Sequence, residues 1–404
     1  MNKRKVVNDP VYGFITIPSD LIYDLVEHPW FQRLRRIKQL GLTEYVYPGA
    51  LHTRFHHALG AMHLMHIALL SMIEKGNTVS EEEHDAALAA ILLHDIGHGP
   101  FSHTLESLIF EGVHHEAISL NLMEQLNDQF NGRLTLAIAI FKGTYHRQWF
   151  HQLVSGQLDI DRLDYLQRDC FFTGVTEGAI GADRIIKMLS VSNDQLVVEE
   201  KGIYSIENFL NVRRLMYWQV YLHKTCISAE QMLIMIFKRI KHLLSQGTEL
   251  HLPENLNHLL QARYTTLSAD ALNSFLALDD YDVWHTVKEL QHTTDKTLRT
   301  LCMQLIERKL FKVVLSDSPF DESHIRKIKD EIDSSFSYDA IANHAVIGQG
   351  VLTNEAYVSG KNNINILTKK GAVIDIAEAS ELPNIKAISK VVKKYFICYP
   401  KNNN

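Results

Sequence analysis

At 404 residues, with 46% apolar and 22% charged residues, the chain has the composition of a folded globular protein, which excludes disorder as its main state. Lys+Arg of 41 against Asp+Glu of 47 gives a net charge of -6, which argues against a surface coated in positive charge for duplex binding. The longest apolar run, Ala86 to Leu93, falls far short of the ~20 residues that span a bilayer.

The start, Met1 to Pro10, has no apolar stretch of the signal-peptide kind. Cys170, Cys226, Cys302 and Cys398 are too scattered for CxxC spacing and too few for a disulfide framework. A cytoplasmic protein with no membrane or nucleic-acid partner is therefore expected. The length exceeds what one core usually organises, so a large domain with a smaller lobe is expected as well.

In chain order, Ser19 and Asp20 cap a helix through Glu27, and Pro29 opens another that Gly41 stops. A helix from Phe55 to Lys75 ends at Gly76. Ser80 and Glu83 have capping-box form, and the uncharged stretch Ala86 to Leu93 that follows has no polar face, which predicts a central buried helix. Helices follow over Glu116 to Leu126, Leu134 to Phe141, Gln148 to Leu153 and Ile160 to Arg168. A hairpin of Gln195 to Glu199 with Ile203 to Ser205 is predicted around Lys201 and Gly202. Ile206 to Gln246 reads as two helices broken near Thr225. Beyond Arg263 the helices become shorter and more polar, and Asn363 to Leu367 with Ala372 to Ile376 reads as a second hairpin. The fold class is mainly α, with a helical core over 1–263 and a smaller C-terminal α+β lobe over 264–404.

Histidine is the outlier, with 22 copies, 11 of them between His52 and His115. The densest segment runs from His94-Asp95 through Gly97, His98, Gly99 and Pro100 to His103. A buried helix there delivers an imidazole and a carboxylate side by side at its C-terminal end, where unsatisfied carbonyls favour a cation. A mixed nitrogen and oxygen set suits transition metals, Mn²⁺ and Mg²⁺. Arg54-Phe55-His56-His57 and Asp159-Ile160-Asp161-Arg162 are the best sources of further ligands, each with an arginine close by to meet phosphate. One buried histidine alone is more often a hydrogen-bonded core residue. The joint occurrence is what points to a metal site.

The segments Asn8-Asp9-Pro10, Gln32 to Arg35, Ile37 to Gly41, Tyr47 to Ala50, Arg54 to His57, His94 to His103, His115-Glu116 and Asp159 to Asp169 occur in this order. Together they resemble the HD-domain deoxynucleoside triphosphate triphosphohydrolases. That resemblance implies an HD-domain helical core and an enzyme that takes deoxynucleoside triphosphates and uses one divalent ion, with Mn, Fe, Ni, Mg and Zn all open. It implies His57, His94, Asp95 and Asp161 as metal ligands, and His98, His103 and His115 as active-site histidines, with Glu106 placed to orient His103. It implies Arg54 and Arg162 as phosphate binders, Gln39 and Asp169 at the sugar 3′-hydroxyl, and Tyr165 and Tyr221 in the sugar pocket. Leu222 departs from the polar residue of the vertebrate relatives.

The resemblance also implies a regulatory guanine nucleotide at Lys5, Val6, Glu27, Gln32 and Arg35, and a homo-oligomer, dimer or tetramer. The apolar helix Ile227 to Leu244 offers surface for a symmetric contact. Another HD-superfamily activity, 5′-nucleotidase or phosphodiesterase, is the alternative within the superfamily. The alternative from another class is a non-catalytic nucleotide- or nucleic-acid-binding module, resting on the basic run Arg33, Arg35, Arg36 and Lys38, which is read here as a solvated helix face.

Overall fold

The computed structural model describes residues 5–401, apart from 111, 262, 263, 265, 336–345, 355, 356, 359, 361, 362, 383, 384 and 386–390. Helices dominate, and the small sheets lie at their margins. The helix Glu81–Leu93 is central as expected. Ser80 Oγ accepts from the Glu83 amide at 3.1 Å and Glu83 Oε2 accepts from the Ser80 amide at 2.8 Å, which fixes its start. All residues from Ala86 to Leu93 are buried, because the helix is packed by Arg54–Glu74 and by Thr135–Phe141. The helix Ile160–Thr173 lies against Arg54–Glu74. Its N-cap, Asp159, is fully buried and accepts from the Arg162 and Gly156 amides at 2.8 and 2.9 Å.

Three expectations require correction. The helix begun at Pro29 does not reach Gly41. It ends at Gln32, tightens into a 3₁₀ turn over Arg33–Arg36, and the chain then extends so that Lys38 bridges Thr53. The 3₁₀ turn carries Arg33 inward, where its guanidinium donates to the carbonyls of Ile96 (3.0 Å), His98 (2.8 Å) and Leu278 (3.2 Å). The basic run is thus divided, with Arg35 and Arg36 exposed and Arg33 turned inward. Arg33 is buried, Arg36 pairs with Asp279, and Lys38 meets Glu44 at 2.6 Å.

Second, Gln195–Glu199 pairs with Leu189–Ser192, not with Ile203 to Ser205. Asn193 and Asp194 both take positive φ, at 50° and 59°, the conformation of a two-residue hairpin turn. Ile203 instead begins a helix running to Met216. Third, the helix Lys224–Ser245 buries its apolar face, including Met232, Ile236, Phe237 and Ile240, within its own chain, so it is not available for a subunit contact. The break before it lies at Leu222 and His223, close to the expected Thr225, after a widened π turn over Tyr217–Tyr221.

The C-terminal segment braces the core. Asp280 accepts from the Lys38 and Phe101 amides at 2.8 and 3.0 Å. The second hairpin forms as Asn365–Leu367 with Val373–Asp375, and its first strand also pairs in parallel with Gln195–Glu199. An antiparallel sheet of Lys312–Ser316, Val392–Tyr399 and Gly348–Asn354 completes the described residues.

Candidate metal centre and adjoining cavity

Three helix ends converge on one point. The first turn of Arg54–Glu74 presents His57, the end of Glu81–Leu93 presents His94 and Asp95, and the first turn of Ile160–Thr173 presents Asp161. Potential ligand atoms of His57, His94 and Asp161 all lie within 4.8 Å of one another. His57 Nε2 is 3.1 Å from Asp161 Oδ1 and 3.4 Å from His94 Nε2. Asp95 Oδ1 is 3.3 Å from His94 Nε2.

The donor chemistry fits a divalent ion. His94 Nδ1 donates to the Ile91 carbonyl at 2.6 Å and His57 Nδ1 donates to Asp164 Oδ2 at 2.7 Å. Both rings therefore turn their Nε2 atoms toward the shared point, in the manner of outer groups that fix a ligating tautomer. Burial alone would raise the Asp161 carboxyl, but hydrogen bonds from His57 and His94 hold it far below the usual carboxylate range. Burial opposes charge on His57 as well, yet Asp161 and Asp164 push it up to about 10.

Arg54 donates through Nε to Ser102 Oγ at 2.9 Å and through Nη1 to Asp95. Phe101 and Ser102 take left-handed φ, at 49° and 33°. The contacts from Asp280 and Arg54 hold this strained turn, and strain of this kind gathers at functional sites. His98 Nε2 lies 3.2 Å from Asp95 Oδ1, and burial, then the neighbouring Arg54 charge, keep it well below the ordinary histidine range. Its ring stacks on that of His115, with centroids 3.9 Å apart. Glu106 engages His115, accepting from its amide at 2.9 Å and lying 3.2 Å from its Nδ1. The His103 side chain lies outside the described ones, so the expected Glu106 to His103 contact is not placed.

A cavity of about 500 Å³ opens beside the cluster, lined by Arg54, Asp95, His98, His115 and Asp161 at one end and by Gln39, Tyr165, Asp169 and Tyr221 further along. Tyr221 donates to Asp169 Oδ2 at 2.7 Å, and His52 Nε2 donates to Asp169 Oδ1 at 2.7 Å. Gln39 Oε1 is buried with no hydrogen-bond partner among the described residues, so an acceptor is left for a bound hydroxyl or amine. Arg162 pairs back onto Asp159.

Sequence reasoning missed several participants. His52 is fully buried, stacked on Phe172 and bonded to Asp169. Asp164 and Arg168 stand behind His57. Arg213 is buried near Tyr165. The residues read as regulatory do gather at the N-terminal face. Lys5 Nζ is 3.3 Å from Glu27, Arg35 Nε donates to Gln32 Oε1 at 2.7 Å, and the Arg35 guanidinium lies 3.6 Å from the centre of the Phe55 ring. Val6 is 60% exposed beside them.

Comparison with known proteins agrees with this geometry. The HD domain family model matches residues 54–169, and the HD associated region matches 180–251. YwfO of Bacillus subtilis is 30% identical over 100% of this chain and 93% of its own length. The human deoxynucleoside triphosphate triphosphohydrolase SAMHD1 is 26% identical over 81% of this chain and 57% of its own length. The crystal structure of a phosphohydrolase from Bacteroides thetaiotaomicron superposes with a TM-score of 0.95 at 51% identity, covering 98% of this chain and 100% of that one.

Proposed function

The chain belongs to the HD-domain phosphohydrolase family, and from that premise we propose that it hydrolyses deoxynucleoside triphosphates to deoxynucleoside and inorganic triphosphate. The observation that carries the reading is the continuity of one cavity of about 500 Å³ from the histidine and aspartate cluster to Gln39, Asp169 and Tyr221, a volume that suits a nucleotide. His57, His94, Asp95 and Asp161 would hold a divalent ion. When bound, such an ion polarises phosphoryl oxygens and lowers the pKa of water from ~15.7 toward ~7.

The remaining chemistry belongs to the side chains. Arg54, fixed by Ser102 and Asp95, offers charge to the phosphates, and Arg162 adds to it from beside Asp159. Water adds at the α-phosphorus, the bond to the 5′-oxygen breaks, and that oxygen takes a proton. We assign this donation to His115, which lines the cavity beside Arg54 and Asp95 and whose Nδ1 lies 3.2 Å from Glu106 Oε2. A general acid of this kind contributes ~10²–10⁴ in rate. His98, packed on the His115 ring and kept neutral, limits where that ring can swing.

Asp169 has both oxygens engaged by His52 and Tyr221 but keeps lone pairs for a 3′-hydroxyl. Gln39 Oε1 supplies a second acceptor, Tyr165 and Tyr221 wall the sugar, and Leu222 brings no hydrogen bond to this pocket. Incubation with a deoxynucleoside triphosphate and chromatography of the products is expected to give deoxynucleoside and triphosphate. Orthophosphate as the sole inorganic product would overturn the reading in favour of a nucleotidase.

The N-terminal face supports a regulatory guanine nucleotide held between copies of the chain, with Lys5 at its phosphates, Gln32, Arg35 and Glu27 at its base and Val6 beside them. Val6 and Phe14, 60% and 72% exposed, leave apolar surface there for a second copy to cover. All four cysteines are free and buried, which suits a reducing cytoplasm, and among the described residues no helix is long and apolar enough to cross a membrane. Added dGTP is expected to raise hydrolysis of a poor substrate by about 5- to 150-fold, together with a scattering mass above the 46.3 kDa of one chain. Arg35→Ala is expected to lose both responses. An unchanged rate and mass in the wild type, or a wild-type response in Arg35→Ala, would remove the regulatory site.

A further inference from the structure

The cavity contains a carboxyl group that the chemistry above does not use. Glu230 sits on the helix Lys224–Ser245, one turn after Cys226, and lines the cavity together with Leu40, Thr43 and Leu222. Among the described residues it has no hydrogen bond and no ion pair. Cys226 on its own helix feels its charge, and that thiol is pushed up to about 12 by burial and kept neutral; the cavity wall also carries the phenols Tyr217 and Tyr221 from the turn before that helix. Arg54 and Asp169 line other parts of the cavity. Burial is the sole cause that pushes the Glu230 carboxyl up to about 7, so no counter-charge holds it ionised.

A partly buried carboxyl on the cavity wall, with no partner among the described residues, offers two acceptor oxygens to what the cavity holds. With phosphates at the histidine end and sugar at Asp169 and Tyr221, the part lined by Leu40, Thr43, Leu222 and Glu230 is left for the base. We infer that Glu230 reads the Watson–Crick edge of that base and makes guanine the preferred one. This rests on the nucleotide reading of the site. Guanine presents two adjacent donors, N1–H and the 2-amino group, which match the two acceptor oxygens of a carboxylate. Adenine presents one donor beside one acceptor, so it sets its N1 lone pair against a carboxylate oxygen. A site built to hydrogen-bond one pattern rejects the other because a buried group is left unpaired.

The same geometry gives the preference a proton dependence. Below about 7 the carboxyl gains a proton and offers one donor and one acceptor, the complement of adenine. Glutamine offers that pattern at every pH, so Glu230→Gln mimics the protonated state without changing side-chain length.

The test is competition between dGTP and dATP at equal concentration in one mixture with metal-loaded enzyme. Relative consumption gives the ratio of the two kcat/KM values, and any effect of nucleotide on assembly or on the catalytic histidines is shared by both substrates. At about pH 8 the wild type is expected to prefer dGTP by roughly tenfold or more, the discrimination of one good bidentate contact, and at about pH 6 that ratio is expected to fall toward or below unity. Glu230→Gln is expected to favour dATP at both values. A wild-type ratio that is independent of pH and unchanged by Glu230→Gln overturns the assignment while leaving the triphosphohydrolase reading intact. Should neither nucleotide be hydrolysed, calorimetry with α,β-imido dGTP and α,β-imido dATP separates the two ideas. Tighter binding of the guanine analogue, lost in Glu230→Gln, upholds Glu230 as the base reader even though the reaction differs, and equal binding or none overturns it.

Discussion

Asp161→Ala is expected to lose both the metal and hydrolysis while the helical fold survives. The Asp161 carboxylate stands between the two imidazoles, 3.1 Å from His57 Nε2 and 3.4 Å from His94 Nε2. Removing it takes away a charged oxygen ligand and leaves two nitrogens with Asp95, whose other oxygen Arg54 occupies. The ion contributes several kcal/mol of transition-state stabilisation, and at about 1.4 kcal/mol per tenfold the activity should fall by at least about 10³. The fold should survive because the cap of the helix Ile160–Thr173 is Asp159, not Asp161, and the Asp161 side chain is 27% exposed. His94→Ala should behave alike, since its ring hangs from the Ile91 carbonyl at the helix end and carries no packing layer alone. Asp164→Asn should differ in kind. It orients His57 while also pairing with Arg168, so metal affinity should drop by about 10- to 100-fold and excess metal should restore the rate. The readouts are elemental analysis of the purified variants, circular dichroism and turnover with metal titrated in. A metal-replete, active Asp161→Ala protein would sink the assignment of the centre.

Part of the candidate metal centre was legible from sequence because its signals are local. Ser80 with Glu83 starts a helix whose uncharged stretch has to be buried, and the two residues after it, His94 and Asp95, are delivered where the helix stops. The element types over Arg54–Glu74, Thr135–Phe141, Gln148–Val154 and Ile160–Thr173 follow from apolar periodicity in the same way. What stayed hidden depends on contacts between distant segments. Nothing local says that the chain should leave the helix after Gln32. The gain lies in Arg33 meeting three carbonyls, two near residue 97 and one at Leu278. Asn193 and Asp194 are a hairpin-turn signal, but Lys201 and Gly202 competed with them and drew the strand pairing to the wrong side. His52 and Glu230 were not singled out for a related reason. Each is one more polar residue until the fold sets it against Asp169 or in the cavity wall. Glu106 was expected to serve His103, whose side chain lies outside the described ones, and its described contacts go to His114 and His115, eight and nine residues away.

Arg168→Met is expected to destabilise the protein by about 3–5 kcal/mol, the cost of leaving buried charge uncompensated when one partner of a buried pair is removed. Arg168 is fully buried on the helix Ile160–Thr173. Its Nη1 donates to Asp9 Oδ2 at 2.7 Å, and its Nε and Nη2 donate to Asp164 Oδ2 and Oδ1 at 3.0 Å each. Burial would raise the Asp164 carboxyl, but the charge of Arg168 and a hydrogen bond from His57 hold it below the usual range. Without the arginine, Asp9 keeps the Val11 and Tyr12 amides and Asp164 keeps His57, but both buried carboxylates lose their guanidinium counter-charge or take up protons at a cost. The packing leaves no slack for an alternative. A Cβ on Gly60 would lie 2.0 Å from Asp164 Oδ1 and 2.1 Å from Arg168 Nη2, so Gly60 has no side chain because the ion pair fills that space. Lysine should not rescue, since one ammonium on a flexible stem cannot serve both edges of Asp164 and Asp9 together. The effect should reach the metal as well, because Asp164 then loses the contacts that keep it aimed at His57 Nδ1. Urea unfolding of the wild type, Arg168→Met and Arg168→Lys measures the first effect, and metal titration the second. Adding Asp9→Asn to Arg168→Met should cost less than the sum of the two single changes, because the second removes a charge that the first has stranded. A midpoint for Arg168→Met within about 1 kcal/mol of wild type, the ordinary size of a single substitution, would show that the buried pair does not hold the site together.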